Sequence, residues 1–217
     1  MARREKLAIF IFCEGESEVE YAKFLKSEFR SVVAIQNPIL GTFDKAKTSF
    51  EKSPKYRDNA SATDEIWFFF DIDEEQGDKE KWEQRLKIIK KLRKLRKKPN
   101  IKVRLLMTTA CIEYWLYLHY QKIQPQIITS ADKEKMENEL KKIVPNYKKG
   151  DQTSIWSIAE KYKKAISNGE WSIKQIEKLS SPKDDSEDAI NEWLYKNSST
   201  FSNVHEALVF LEQLSEK

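Results

Sequence analysis

The chain has 217 residues, enough for one core domain with at most a smaller appendage. Its 40% hydrophobic and 34% charged residues, with only 5 Gly and 6 Pro, exclude a collagen-like or low-complexity chain. The 39 basic and 35 acidic residues leave a net charge of +4, so any field that attracts a polyanion must come from local clustering. Two cysteines, Cys13 and Cys111, and two histidines give neither a disulfide framework nor a zinc-finger spacing, and both thiols are expected to be reduced. The apolar run 7–13 is far shorter than the roughly 20 residues of a membrane span, so the expected compartment is the cytoplasm.

Residues 6–12 are apolar and β-rich without alternation, as in a parallel strand buried on both faces. The run stops at Cys13-Glu14-Gly15-Glu16, and Ser17 with Glu20 forms a capping-box pattern for a helix reaching Phe29. A short β-branched strand follows over 31–35, closed by Asn37-Pro38, then a weaker helix over 41–53 and a polar loop over 54–63. Residues 65–70, Glu-Ile-Trp-Phe-Phe-Phe, form the most emphatic strand and end in Asp71-Ile72-Asp73. The spacing of Trp82, Leu86, Ile89, Leu92 and Leu95 predicts a helix over 79–98, stopped by Pro99, and 101–107 predicts a fourth strand. Strands alternating with helices imply a mostly parallel four-stranded α/β sheet with right-handed crossovers. Beyond it the chain reads as helical over 112–121, 130–143, 153–167, 172–179, 185–196 and 203–216, with Ser172/Gln175 and Asn203/Glu206 as capping pairs. The expected division is an α/β core over 1–110 and an all-helical region over 111–217 packed on it.

Both acidic clusters fall at the carboxyl ends of strands, where open parallel sheets bind ligands. If the two strands are neighbours, Glu14, Asp71 and Asp73 converge, and alternate residues of an extended segment point the same way. Oxygen donors with open positions suit Mg²⁺ or Mn²⁺ better than Zn²⁺. Gly15 permits a tight turn, and the helix that follows aims N–H groups at the same edge, a favourable place for phosphate. A lone Asp-x-Asp is more often a solvated turn; its pairing with Glu-Gly after the first strand gives it weight.

Ile11-Phe12-Cys13-Glu14-Gly15-Glu16-Ser17-Glu18, Phe70-Asp71-Ile72-Asp73-Glu74 and Cys111-Ile112-Glu113-Tyr114-Trp115-Leu116-Tyr117-Leu118-His119 resemble the three signatures of the RloB-like family. That family is similar to TOPRIM-domain proteins of the overcoming-lysogenization-defect type and is associated with phage defence and restriction loci. Asn146-Tyr147-Lys148-Lys149-Gly150 and Ser198-Ser199-Thr200…Val204-His205 are similar to its later motifs, so the resemblance covers most of the chain. It departs in Ser17, where threonine is usual, and in Thr108-Thr109-Ala110, where Ser-Asn-Pro is usual. The resemblance implies a TOPRIM-like core in which Glu14 acts as general acid/base or metal ligand and Asp71 and Asp73 bind Mg²⁺, with Gly15, Glu18, Glu113 and His119 supporting the site. Glu113 and His119, six residues apart on one helix, do not share a face, whereas Cys111, Trp115 and His119 share a stripe that suits a packed core.

Lys90, Lys91, Arg93, Lys94 and Lys97 form a dense positive face, either a grip for a phosphate backbone or a solvated helix surface. No Walker lysine loop, nucleophile elbow or Cys-His pair is present in the sequence. The expected function is therefore a Mg²⁺-dependent nuclease cutting DNA or RNA in a prokaryotic anti-phage defence system, with a defence partner protein and a homodimer both admitted. A catalytically silent module that binds nucleic acid or protein is the alternative, and nucleotidyl transfer a third reading.

Overall fold

The computed structural model describes residues 6–52, 63–72, 79–95, 101–196 and 199–216. Five parallel strands are described: β1 (Leu7–Cys13), β2 (Val33–Ile35), β3 (Ile39–Leu40), β4 (Glu65–Ile72) and β5 (Lys102–Thr109). Their order is β2-β1-β4-β5, and β3 continues the β2 edge by pairing with the upper half of β1. The expected α/β class and parallel sheet hold. The two-residue β3 was not foreseen: Pro38, which lacks an N–H, interrupts the edge, and pairing resumes at Phe12↔Ile39.

Among the described residues nine helices flank the sheet. They are α1 (Glu16–Glu28), α2 (Phe43–Lys52), α3 (Lys79–Leu92), α4 (Ile112–Leu118), α5 (Ser130–Ile143), α6 (Gln152–Ala159), α7 (Tyr162–Glu177), α8 (Glu187–Tyr195) and α9 (His205–Ser215). Alternate strand residues face opposite layers. Ile9, Ile11, Cys13, Trp67 and Phe69 pack against α1, α4, α6 and α9, whereas Phe10, Phe12, Phe68 and Phe70 meet α2, α3 and α8. Two-sided burial is why β1 and residues 66–70 of β4 are unbroken apolar runs. None of the described helices is long and apolar enough to cross a membrane.

Three expected helix boundaries are corrected. The chain breaks at Glu160-Lys161 and then runs without interruption through Asn168 and Gly169 to Glu177. Gly169 fits because His205 of α9 packs against it; a Cβ there would come within 2.7 Å of His205 Nδ1. Ser172 caps nothing: it is buried in mid-helix and its hydroxyl donates back to the Gly169 carbonyl at 2.8 Å. Asn203 lies before α9 and instead covers the edge of β5, accepting from Met107 N–H at 2.6 Å and donating to the Leu105 carbonyl at 3.0 Å.

Candidate functional site

Cys13 ends β1, and its neighbour Glu14 donates its backbone N–H to the Phe69 carbonyl of β4 at 2.9 Å, so the sheet carries the chain one residue past the strand. Two residues further along β4, the Asp71 N–H donates to Glu14 Oε2 at 3.0 Å. Adjacency of β1 and β4 thus brings Glu14 and Asp71 together at the carboxyl edge, while Asp73 lies outside the described residues.

β5 enters the same edge through an unusual turn. Ala110 has φ +68°, a left-handed conformation that costs a residue with a Cβ about 1–2 kcal/mol. Its N–H donates to the Ile72 carbonyl at 2.7 Å, and this fixes the turn that Thr108-Thr109-Ala110 makes into α4. The turn sets Cys111 and Glu113 beside Glu14, Glu18 and Asp71, around a cavity of about 450 Å³.

Glu18 lies one turn into α1 and folds back over Gly15, where a Cβ would come within 2.8 Å of its Oε2. The capping role expected of Ser17 is not seen; α1 begins at Glu16 without a side-chain cap, and the Ser17 hydroxyl accepts from Gly150 N–H at 3.0 Å. Glu18 is only 3% exposed. Burial pushes its carboxyl up to about 7, and the charges of Glu14 and Glu113 add to this against hydrogen bonds from its own amide and that of Gly15.

Glu113, 2% exposed, is held by residues to which the sequence reading assigned no role. Tyr147 donates its hydroxyl to Glu113 Oε1 at 2.8 Å, and Lys149 Nζ stands 3.4 Å from the same oxygen and 3.2 Å from Glu137 Oε2. The Lys149 ammonium is held above its usual range because the attraction of Glu113 and Glu137 outweighs the opposing effect of burial. These residues belong to the strap between α5 and α6, and Gly150 allows it to turn at φ +69°. The only signal in sequence was the motif Asn146–Gly150, whose chemistry is not legible without its partners. Burial, then the charges of Glu113 and Asp71, push the Cys111 thiol far up, which leaves it an inert wall.

His119 does not join this cavity. It sits about 9 Å along the helix axis from Glu113 by helical rise. It is fully buried, its Nδ1 3.0 Å from the Trp115 carbonyl and its Nε2 3.1 Å from Tyr21 Oη. Those partners define a neutral ring, Nδ1–H donating and Nε2 accepting from the tyrosine. Burial lowers its pKa to about 3. Its supporting role is corrected to one in the core, matching the Cys111-Trp115-His119 stripe.

The basic face divides. Arg93 is spent on α8, 2.7 Å from Asp188 and 3.8 Å from Glu187. Lys94 is exposed and Lys97 lies outside the described residues. Lys90 and Lys91 line a second cavity, of about 700 Å³, between α2 and α3, and Glu14 lines both cavities.

Among the described residues no three His, Cys, Asp or Glu side chains stand placed to hold one metal ion. The donor set around the smaller cavity nonetheless fits a hard cation. It is rich in carboxylate oxygen, and Glu18 is driven towards its protonated form partly by its acidic neighbours, a surplus of negative charge that a cation relieves.

A model of the RloB-like protein family matches residues 9–209. No curated protein and no solved structure matches the chain.

Proposed function

The chain belongs to the RloB-like family, and on that premise we propose that it is a Mg²⁺- or Mn²⁺-dependent nuclease with a TOPRIM-like core, acting in the cytoplasm in prokaryotic anti-phage defence. The observation that carries this reading is the Asp71 N–H donating to Glu14 Oε2 at 3.0 Å, which unites two acidic motifs 57 residues apart on one cavity.

Glu14 and Asp71, with Asp73 two residues beyond Asp71, would hold the cation. When bound it supplies charge neutralisation at a phosphate and a more acidic water. Hydrolysis forms a bond from a water oxygen to phosphorus and breaks one ester P–O bond. The Glu14 carboxylate takes the proton of the attacking water, and the leaving oxygen takes one from solvent. The Lys149 ammonium, on the wall of the same cavity, would neutralise a non-bridging phosphate oxygen. Glu113, fixed by Tyr147, holds that ammonium in place. A partner protein of the defence system and a homodimer belong to the same reading.

Wild type, Glu14→Gln and Asp71→Asn are incubated with plasmid, single-stranded DNA and total tRNA in Mn²⁺. Cleavage is expected from wild type alone, each variant losing at least about 100-fold, with unchanged circular dichroism. Equal cleavage by all three would move the chemistry elsewhere. Absence of cleavage and of Mn²⁺ uptake in wild type would favour a silent binding module.

A further inference from the structure

The larger cavity has a character opposite to the carboxylate site it adjoins. Lys47 from α2 and Lys81, Lys87, Lys90 and Lys91 from α3 line it, and among the described residues lining it the only carboxylate besides Glu14 is Asp44. Lys47, Lys81, Lys87 and Lys90 form no ion pair with any described carboxylate, and the single pair, Lys91 with Glu51 at 3.6 Å, is exposed at both ends. The acids of α3, Glu80 and Glu83, lie outside the cavity lining.

The floor is rigid. Arg85 is 8% exposed, its guanidinium 5.0, 4.7 and 5.2 Å from the ring centres of Phe43, Phe70 and Tyr195. Phe43 itself stacks on Phe68 at 4.2 Å. These rings are committed to the core, so they are not available to stack nucleobases, and the free groups are ammonium ions that read phosphate rather than sequence. A volume of about 700 Å³ is that of an ordinary ligand cleft, and a duplex, whose major groove alone is about 12 Å wide, does not enter it.

We propose that the α2–α3 cavity is a sequence-indifferent site for a single nucleic-acid strand, which Lys47, Lys81 and Lys87 hold by its phosphates so that the next phosphodiester lies at Glu14. The placement of the cut rests on the nuclease reading above; the binding step stands without it.

The test measures binding by fluorescence anisotropy of a labelled single-stranded oligonucleotide and its duplex to the full chain in EDTA, at about 50–200 mM salt. Cleavage in Mn²⁺ is measured separately. Wild type is expected to prefer the single strand, and Lys47→Gln/Lys81→Gln/Lys87→Gln to lower the log–log salt slope by about 2, roughly 0.7 per lost phosphate contact. A control with the same charge change on α7, Lys163→Gln/Lys164→Gln/Lys174→Gln, is expected to leave that slope unaltered. All these side chains reach solvent, and circular dichroism checks the fold of each variant. Equal slope loss in both triples, equal affinity for duplex, or no binding at low salt overturns the strand site, even if wild type cleaves. Binding with the expected slope from a chain that cleaves nothing supports the strand site and instead removes the nuclease.

Discussion

Replacing His119 by glutamine should flatten the acid dependence of stability, because the folded protein holds this ring neutral. Tyr21 donates to Nε2 and Nδ1–H donates to Trp115, so a second proton would have to face a donor inside a fully buried site. Burial lowers the folded pKa to about 3, against hydrogen bonds to the Trp115 and Leu116 backbone that raise it. The unfolded value is about 6.5. Between those values the unfolded chain carries a proton that the folded chain lacks. The stability contribution is therefore full above about 6.5 and is lost as pH falls towards 3. Near pH 5 the slope is about 1.3 kcal/mol per pH unit, and the loss from pH 7 to 5 is about 2 kcal/mol. His205, lowered to about 4 by burial, acts with the same sign. Glu18, raised to about 7, acts with the opposite sign, since the native state keeps a proton that the unfolded state releases above its ordinary pKa. The total slope is thus a difference of opposed terms, and only the gap between wild type and His119→Gln isolates the histidine. Urea unfolding followed by tryptophan fluorescence at several pH values between about 7 and 5 measures it. Curves of free energy against pH that run parallel for the two proteins would refute the neutral, buried assignment.

Tyr147→Phe removes the donor to a buried carboxylate, and a loss of about 1.5–3 kcal/mol in urea unfolding is expected; under the proposed function cleavage also weakens, because Glu113 no longer holds Lys149 in place. Gly169→Ala should destabilise by about 1–3 kcal/mol although alanine is the better helix former, because its Cβ would lie 2.7–2.9 Å from the His205 side chain. A melting temperature above that of wild type would show that α9 yields to it.

Strands β1 and β4 were legible in sequence because burial on both faces leaves an unbroken apolar run, and the acidic residues that end those runs mark the edge of the candidate site. The convergence of Glu14 and Asp71 was legible only on the condition that the strands be neighbours, which is a property of sheet order. Local signals failed where a group other than the helix end claimed the side chain. Ser17, Ser172 and Asn203 all have helix-capping chemistry, yet they serve Gly150, the Gly169 carbonyl and the edge of β5 respectively. Asn168-Gly169 looked like a break because the His205 ring that fills the space beside Gly169 comes from another helix. Lys149 and Tyr147 carry no periodicity or spacing that ties them to Glu113, 34 residues before the tyrosine. Their role exists only once the strap crosses the cavity.

The position of Glu14 on two cavities of opposite sign has an electrostatic consequence. A strand drawn into the lysine-lined cavity brings its phosphate towards Glu14, Asp71, Glu18 and Glu113, which repel it. A divalent cation at the carboxylates would remove that repulsion, and a phosphate beside it would supply oxygen ligands that the carboxylates alone do not. Under the proposed function the two ligands therefore favour each other, and reciprocity requires that the factor by which Mn²⁺ tightens the strand be the factor by which the strand tightens Mn²⁺. Lys149 tempers the repulsion without abolishing it, since Glu113 and Glu137 already share its charge. On that reading the strand binds without the cation but more weakly than with it, and occupancy is fullest when both are present.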